Sequence, residues 1–183
     1  LENIKVAKNL LEQKIIKTPE IRSQNLSELI NGNVYLKLEN LQHTSSFKAR
    51  GAYVSINRLD EKRKKDGVIA MSAGNHAQAV AWWSRKEKIN ATIVMPEQAP
   101  FSKVMKTKAL GAKVILKGRT LNESQTFVEQ TVKKENLTLI HPYDDENVIL
   151  GQGTIGLEIL RQAEKPPDAV YVAVGGGGLI GGI

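Results

Sequence analysis

A lysine at an unusual position in the sequence has the chemistry of a nucleophile. Lys48 lies in the stretch TSSFKARG (44–51), where an amphipathic run begins that predicts a helix. Burial and the positive end of the helix dipole both disfavour the ammonium form there, so the amine should lose its proton easily. A neutral amine attacks carbonyl carbon and removes protons from carbon acids. Taken alone, however, the commoner case is an exposed lysine whose stem covers apolar surface.

A second candidate loop, SAGNHAQ (72–78), follows the predicted buried strand GVIAM. Its small residues let the backbone approach a ligand, and the next helix would present free N–H groups to a carboxylate. Asn75 offers both a donor and an acceptor, and we also expect it to cap that helix. His76 taken alone is more often a satisfied interior histidine than a functional one.

A third loop, GGGGLIGG (175–182), follows the apolar run AVYVAV. Consecutive glycines leave bare backbone amides that can turn inward around a phosphate, with the start of a helix behind them. The alternative, a merely flexible loop, fits poorly with an apolar strand immediately before it. The loop therefore predicts a phosphate-binding site.

The glycines also allow a competing interpretation. The dinucleotide-binding pattern G-x-G-x-x-G occurs twice, at Gly176, Gly178 and Gly181 and at Gly151, Gly153 and Gly156. The acidic residue expected about 20 positions after the first of these would fall beyond residue 183. A nicotinamide- or flavin-dependent oxidoreductase is thus a second hypothesis, although it leaves Lys48 without a role.

One cofactor needs all three loops. Pyridoxal 5'-phosphate is an aldehyde held as a lysine Schiff base, and it carries a phosphate and a ring hydroxyl. A reactive lysine, a glycine-lined phosphate site and polar groups for the hydroxyl and a substrate carboxylate would serve it together. No comparable arrangement suggests a metal site, since the three histidines lie far apart in the sequence.

The elements that must position these loops alternate between strand and helix. Predicted strands span 33–39, 67–71, 91–95, 112–117, 137–141 and 169–174. Predicted helices span 1–14, 47–59, 75–88, 101–110, 120–135 and 152–163. Continuously apolar strands joined through helices are typical of an α/β fold, in which helices cover both faces of a parallel sheet. Ligands of such sheets bind at the carboxyl ends of the strands, where the three loops fall.

Composition excludes several other classes of protein. The chain has no cysteine, which removes disulfides and thiol chemistry and fits a cytoplasmic protein. No apolar stretch is long enough to span a bilayer. The net charge of +7 would suit an anionic ligand, but with only 5% aromatic residues we do not expect a nucleic-acid partner.

The three motifs, in this order, resemble those of the fold-type II pyridoxal-phosphate enzymes, and among them most those of the threonine (serine) dehydratases. The resemblance runs from Thr18 to the final glycines and implies a role for each loop. Lys48 would form the Schiff base, Phe47 would pack near the cofactor ring and Asn75 would bind the ring hydroxyl. Phosphate amides would come from Gly175, Gly176, Gly177, Gly178 and Leu179. The substrate carboxylate would be received by Ser72, Ala73, Gly74, Asn75 and His76.

The resemblance also implies an activity. A dehydratase of this family converts L-threonine or L-serine to the 2-keto acid and ammonia by α,β-elimination, as part of amino-acid metabolism such as isoleucine biosynthesis. Serine racemases and threonine synthases are the alternatives within the family. Serine racemases have a serine at the position of Ala73, and alanine has no proton to give from that face, which favours one-sided elimination. Synthases usually have threonine at the position of His76.

Family architecture further predicts two domains and an assembly. Residues 44–147 would form the smaller domain, while 1–43 and 148–183 would belong to the larger one, with the cofactor in the cleft between them. We expect a homodimer or homotetramer. We also expect the chain to be part of a longer protein, because the C-terminal part that contacts the pyridine nitrogen is missing.

Overall fold

Helices and short strands alternate along the chain in this computed structural model, which describes residues 1–183 except for the side chain of Leu121. The strands are β1 (Glu20–Arg22), β2 (Tyr35–Lys37), β3 (Val68–Met71), β4 (Ala91–Met95), β5 (Lys113–Leu116) and β6 (Thr138–Leu139). The helices are α1 (Glu2–Leu11), α2 (Gln24–Ile30), α3 (Lys48–Asn57), α4 (Glu61–Asp66), α5 (Asn75–Lys86), α6 (Phe101–Ala109), α7 (Leu121–Glu135), α8 (Glu146–Gln162) and α9 (Gly178–Gly182). Two 3₁₀ turns, Glu39–Leu41 and His43–Ser45, precede α3.

Four strands form a parallel sheet in the order β5-β4-β3-β6. Alternate residues of its central strands enter two different hydrophobic cores. Val68 and Ala70 face the larger core, which includes side chains of α3 and α5, whereas Ile69 packs with Val128 of α7. Burial on both faces explains why these strands are continuously apolar. The α/β fold with a parallel sheet is confirmed.

One predicted strand was wrong in part and another was wrong altogether. The 33–39 segment is a strand only at β2, and β2 pairs antiparallel with β1 in a separate two-stranded sheet. The 169–174 segment is not a strand, and Tyr171 there is 97% exposed. A strand exists only where a neighbour accepts its backbone hydrogen bonds, and no strand among the described residues lies beside this segment.

Some helices also differ from the prediction. α8 begins at Glu146, six residues before the predicted start, because the Asp145 side chain caps it by accepting a hydrogen bond from Val148 N at 2.9 Å. Helices α2 and α4 were not predicted. No helix among the described residues has the length and apolar character needed to cross a membrane.

Helix α3 lies between α5 and α8 and joins them. On one side, the Trp83 indole N–H donates to the Ala49 carbonyl at 2.7 Å. On the other side, the backbones of α3 and α8 touch, since a Cβ at Gly151 would lie 2.6 Å from Gly51 Cα. Only glycine permits this approach. Gly151 and Gly153 are thus interior residues of α8, which rules out that glycine pattern as a dinucleotide loop.

Candidate active site

Lys48 is the first residue of α3, and its side chain is half-buried. Its Nζ donates a hydrogen bond to the Pro142 carbonyl at 2.6 Å and lies 5.2 Å from the centre of the Phe47 ring. The Ser46 hydroxyl accepts from the Lys48 backbone N–H at 3.2 Å, which orders the start of the helix. Burial lowers the pKa of the Lys48 ammonium, as expected from the sequence.

The loop after β3 is held in shape by its own serine. The Ser72 hydroxyl accepts a hydrogen bond from Gly74 N at 3.1 Å. Gly74 occupies the capping position of α5, and Asn75 is the first helical residue and is exposed. The prediction that Asn75 caps this helix was therefore wrong. Its amide is left available to a ligand at the start of α5.

His76 is almost completely buried and connects two loops. Its Nε2 lies 2.8 Å from the Ile140 carbonyl oxygen, which can only accept, so Nε2 carries the proton. Nδ1 has no hydrogen-bond partner among the described residues. Burial lowers the pKa of His76 to about 4, and the charge of Lys48 adds to this effect. The imidazole is consequently neutral near pH 7 and offers no positive charge to a carboxylate.

The glycine loop packs against Tyr143. A Cβ at Gly176 would overlap the Tyr143 ring, and one at Gly178 would lie 2.6 Å from the Tyr143 carbonyl oxygen. Gly177 has φ +86°, a conformation that favours glycine, and it precedes α9 directly. Gly175 and Gly177 have no atoms near the position of a Cβ, and Leu179 is half-buried. The loop therefore presents backbone rather than side chains.

All three loops meet on the segment 140–143. The Ile140 carbonyl contacts His76, the Pro142 carbonyl accepts from Lys48, and Tyr143 packs on the glycine loop. This segment follows β6, which lies on the opposite side of β3 from β4. The crevice between the ends of β3 and β6 is thus the point where the chain reverses direction across the sheet, and ligands of open α/β sheets bind there.

Sequence reasoning missed the residues of this segment. His141 Nδ1 accepts hydrogen bonds from Asp144 N at 2.8 Å and from Tyr143 N at 3.4 Å, and it shapes the turn that carries Tyr143. The sequence did contain a signal, because HPY (141–143) follows a predicted strand. Ligands of open α/β sheets bind at the carboxyl ends of strands, so these residues were candidates in the same way as the other three loops.

The geometry fits pyridoxal phosphate. An amine whose charged form is disfavoured lies against the segment 140–143, and the glycine loop packs on the same segment. Glycine amides and a helix start are suited to a phosphate. Asn75, which is exposed, lies at the start of α5, in the loop that follows β3.

Comparison with known proteins identifies the class of protein. The profile of the family described as pyridoxal-phosphate dependent enzyme matches residues 11–183. The chain belongs to this family, whose cofactor is pyridoxal phosphate. The expected family resemblance and the expected cofactor are therefore confirmed, and a dinucleotide-dependent oxidoreductase is not supported.

Within this family, the chain is similar to L-threonine dehydratases. The L-threonine dehydratase catabolic TdcB of Staphylococcus aureus (strain USA300) is 53% identical over all of this chain and 53% of its own length. The chain spans about half the length of the curated relatives it matches.

Solved structures show the same fold. The processed form of threonine deaminase isoform 2 from Solanum lycopersicum matches with a TM-score of 0.92 and 41% identity, over 100% of this chain and 49% of that one. Serine racemase from Dictyostelium discoideum matches with a TM-score of 0.92 and 40% identity, over 99% of this chain and 59% of that one.

Proposed function

We propose that this chain is the lysine- and phosphate-binding part of a threonine/serine ammonia-lyase, which converts L-threonine or L-serine to the 2-keto acid and ammonia. The main observation in support of this function is that the half-buried Lys48 amine, the loop after β3 and the glycine loop all contact residues 140–143. The 53% identity to an L-threonine dehydratase, over all of this chain and 53% of that relative, favours this activity over others in the family.

The chain's own residues account for binding and for proton removal. The amides of Gly175–Gly178 and Leu179 hold the phosphate, and Asn75 holds the ring hydroxyl. When bound, pyridoxal phosphate supplies an electron sink for negative charge at the substrate Cα. The Lys48 amine takes the Cα proton, for which its lowered pKa suits it. The β-hydroxyl then leaves the substrate as water. A water molecule is added as ammonia is released, and the product is the 2-keto acid.

The substrate carboxylate is received at the loop after β3, by Ser72, Ala73, Gly74, Asn75 and His76. Because His76 is neutral and its Nε2 is already bonded to Ile140, we assign this binding to backbone N–H groups at the start of α5 rather than to the imidazole.

The test of Lys48 is covalent trapping in the full-length protein. Borohydride reduction followed by peptide mass spectrometry should place a pyridoxyl group on Lys48. Lys48→Ala should lose this adduct, the visible absorbance of the bound cofactor and at least about a thousandfold in turnover, as expected when an acid–base group that acts in the chemical step is removed. Lys86→Ala, an exposed lysine over the Trp82 ring, is the matched control and should change none of these. A pyridoxyl group on another lysine would refute the assignment.

Serine racemase is the second candidate, because racemases are among the similar structures. A racemase needs a proton donor on the face opposite the lysine, and Ala73 provides none there. Chiral chromatography after incubation with L-serine should detect pyruvate and no D-serine. Accumulation of D-serine at a rate similar to that of pyruvate would favour the racemase.

We also propose two domains, with 44–147 as the smaller one and 1–43 and 148–183 in the larger, and a cytoplasmic homodimer or homotetramer that binds no nucleic acid. The parallel sheet, which lies wholly between residues 68 and 139, supports the smaller domain. Light scattering of the full-length protein tests the assembly, and a monomer at micromolar concentration would contradict it.

A further inference from the structure

Four charged side chains form a buried cluster around one residue of α3, behind the proposed cofactor lysine. The Arg50 cluster consists of Arg50, Lys37, Glu39 and Glu158. The Arg50 side chain is 0% exposed, and those of the other three are 9–13% exposed. Two positive and two negative charges cancel, so the cluster is neutral as a whole. It was not predicted from the sequence.

The Arg50 guanidinium uses every donor it has. Towards Glu39, Nε donates to Oε2 at 2.9 Å and Nη2 to Oε1 at 2.7 Å. Towards Glu158, Nη1 donates to Oε1 at 2.6 Å and Nη2 to Oε2 at 2.9 Å. Nη1 also donates to the Thr154 hydroxyl at 3.2 Å. Four of the five N–H groups are thus occupied in two bidentate pairs and the fifth in the bond to Thr154, a geometry that lysine cannot reproduce.

Lys37 completes the cluster in the same manner. Its three N–H groups donate to the Thr18 carbonyl, to Glu158 and to Gln162, at 2.6–2.7 Å. The Thr18 hydroxyl donates to Glu39 Oε1 at 2.6 Å. The cluster therefore connects the 3₁₀ turn that contains Glu39, strand β2 and helix α8 to a single point on α3.

That point lies almost opposite Lys48. Lys48 and Arg50 are two positions apart in α3. Side chains at this spacing on an α-helix are separated by roughly 200° of rotation, because a turn has about 3.6 residues. Arg50 thus fixes one side of α3, while Lys48 projects from the other side towards Pro142. Any rotation of α3 that moved Arg50 would move the Lys48 amine as well.

A buried ion cluster of this kind contributes less to stability than its number of bonds suggests, because desolvation of the charges offsets the attraction. Its better attested effect is to select one arrangement of the elements around it. We propose that Arg50 is a positioning residue that fixes the rotation of α3 and thereby holds the Lys48 amine in its half-buried place. This inference rests on the proposed function of Lys48.

The experiment measures Lys48 directly, in full-length protein freed of pyridoxal phosphate. Lys48 is labelled with an amine-directed reagent over a range of pH and quantified by peptide mass spectrometry. Arg50→Lys keeps the positive charge but loses the two bidentate pairs of the guanidinium with Glu39 and Glu158. It should raise the pH midpoint of Lys48 labelling by about one unit, towards that of an ordinary lysine, which is a tenfold change in the ratio of charged to neutral amine. Pyridoxal-phosphate affinity, measured by titration, should fall.

Glu158→Gln keeps the side-chain size, removes the paired charge on α8 and serves as a second variant if Arg50→Lys does not accumulate as folded protein. The same upward change in midpoint is expected. Arg58→Lys is the matched control, since Arg58 also joins α3 to the start of α8, through Asn147 at 2.7 Å, but at an exposed position. It should leave the midpoint unchanged.

The outcomes separate the two proposals. Lower melting temperatures with an unchanged labelling midpoint and unchanged cofactor affinity would mean that Arg50 only stabilises the fold, and positioning would be wrong. Absence of a pyridoxyl group on Lys48 in the reduced wild-type protein would instead refute the proposed function. The labelling midpoint could still be read in that case, because it needs no cofactor.

Discussion

The state of the Lys48 amine depends on opposing contacts. The Pro142 carbonyl and the Phe47 ring, 5.2 Å from Nζ, both favour the ammonium form. Burial favours the neutral amine, and the lowered pKa of Lys48 shows that burial dominates. The amine is therefore held at one place by a hydrogen bond while its proton is made easier to remove, a combination that suits a general base.

His76 should make stability depend on pH. Its pKa is about 4 in the folded protein and 6.5 when unperturbed, because burial favours the neutral ring. The resulting stabilisation is complete above pH 6.5 and is lost as the pH falls towards 4, by roughly 3 kcal/mol in total at 1.36 kcal/mol per unit. Urea denaturation between pH 4 and 7 measures this change in the free energy of unfolding.

His76→Gln is the informative variant for that experiment. The glutamine amide can still donate to the Ile140 carbonyl but does not titrate in this range, so the pH dependence should flatten. His43→Gln is the control, because His43 is only half-buried, and burial lowers its pKa less far. Equal flattening in both variants would show that His76 is not the group responsible.

At the level of elements, the contact between α3 and α8 depends on two glycines. A Cβ at Gly51 would lie 2.7 Å from the Val148 carbonyl oxygen and 2.5 Å from Gln152 Nε2. Gly51→Ala should therefore force the helices apart and destabilise the protein by about 1–3 kcal/mol, the usual range for overpacking. Chemical denaturation of the full-length variant gives the value.

Gly181→Ala provides the comparison for the helix contact. Apart from its chain neighbours and the backbone of its own helix, no atom lies within 4 Å of a Cβ at Gly181, and alanine is the better helix former by up to about 1 kcal/mol. This variant should be neutral or more stable than the wild type. A Gly51→Ala protein as stable as the Gly181→Ala protein would contradict the close contact of α3 and α8.

At the level of the whole molecule, the cofactor should act as a stabilising ligand. A ligand that binds only the folded state at 100 times its Kd adds about 2.7 kcal/mol to the free energy of unfolding. Removal of pyridoxal phosphate from the full-length protein should thus lower its melting temperature in thermal denaturation. Pyridoxal, which lacks the phosphate, should restore much less of the stability, and an equal effect of both would contradict a phosphate site at Gly175–Gly178.

Most strands and helices could be predicted from the local sequence pattern, whereas the pairing of strands into sheets could not. The parallel sheet and its flanking helices followed from apolar runs, because the central strands β3 and β4 are buried between helices. Segment 169–174 has the same apolar pattern but no neighbouring strand, so its propensity is not realised. β2 was placed in the wrong sheet because periodicity does not identify a partner.

The site shows the same limit. Lys48, the loop 72–78 and the glycine loop were recognisable because each follows or begins an element. Their common contact on 140–143 was not, since it arises from the position of β6 beside β3. The Arg50 cluster was also hidden, because Arg50 and Glu158 are 108 residues apart and the printed sequence carries no sign that they pair.

That separation has a consequence for biosynthesis. While the ribosome extends the chain, the guanidinium of Arg50 emerges long before the carboxylate on α8 that must neutralise it, and it stays hydrated in the meantime. Contacts of such long sequence separation close late and slow folding. A nascent chain arrested before residue 158 should hence leave the Lys48 amine unordered, and α3 should take its final orientation only after α8 has been translated.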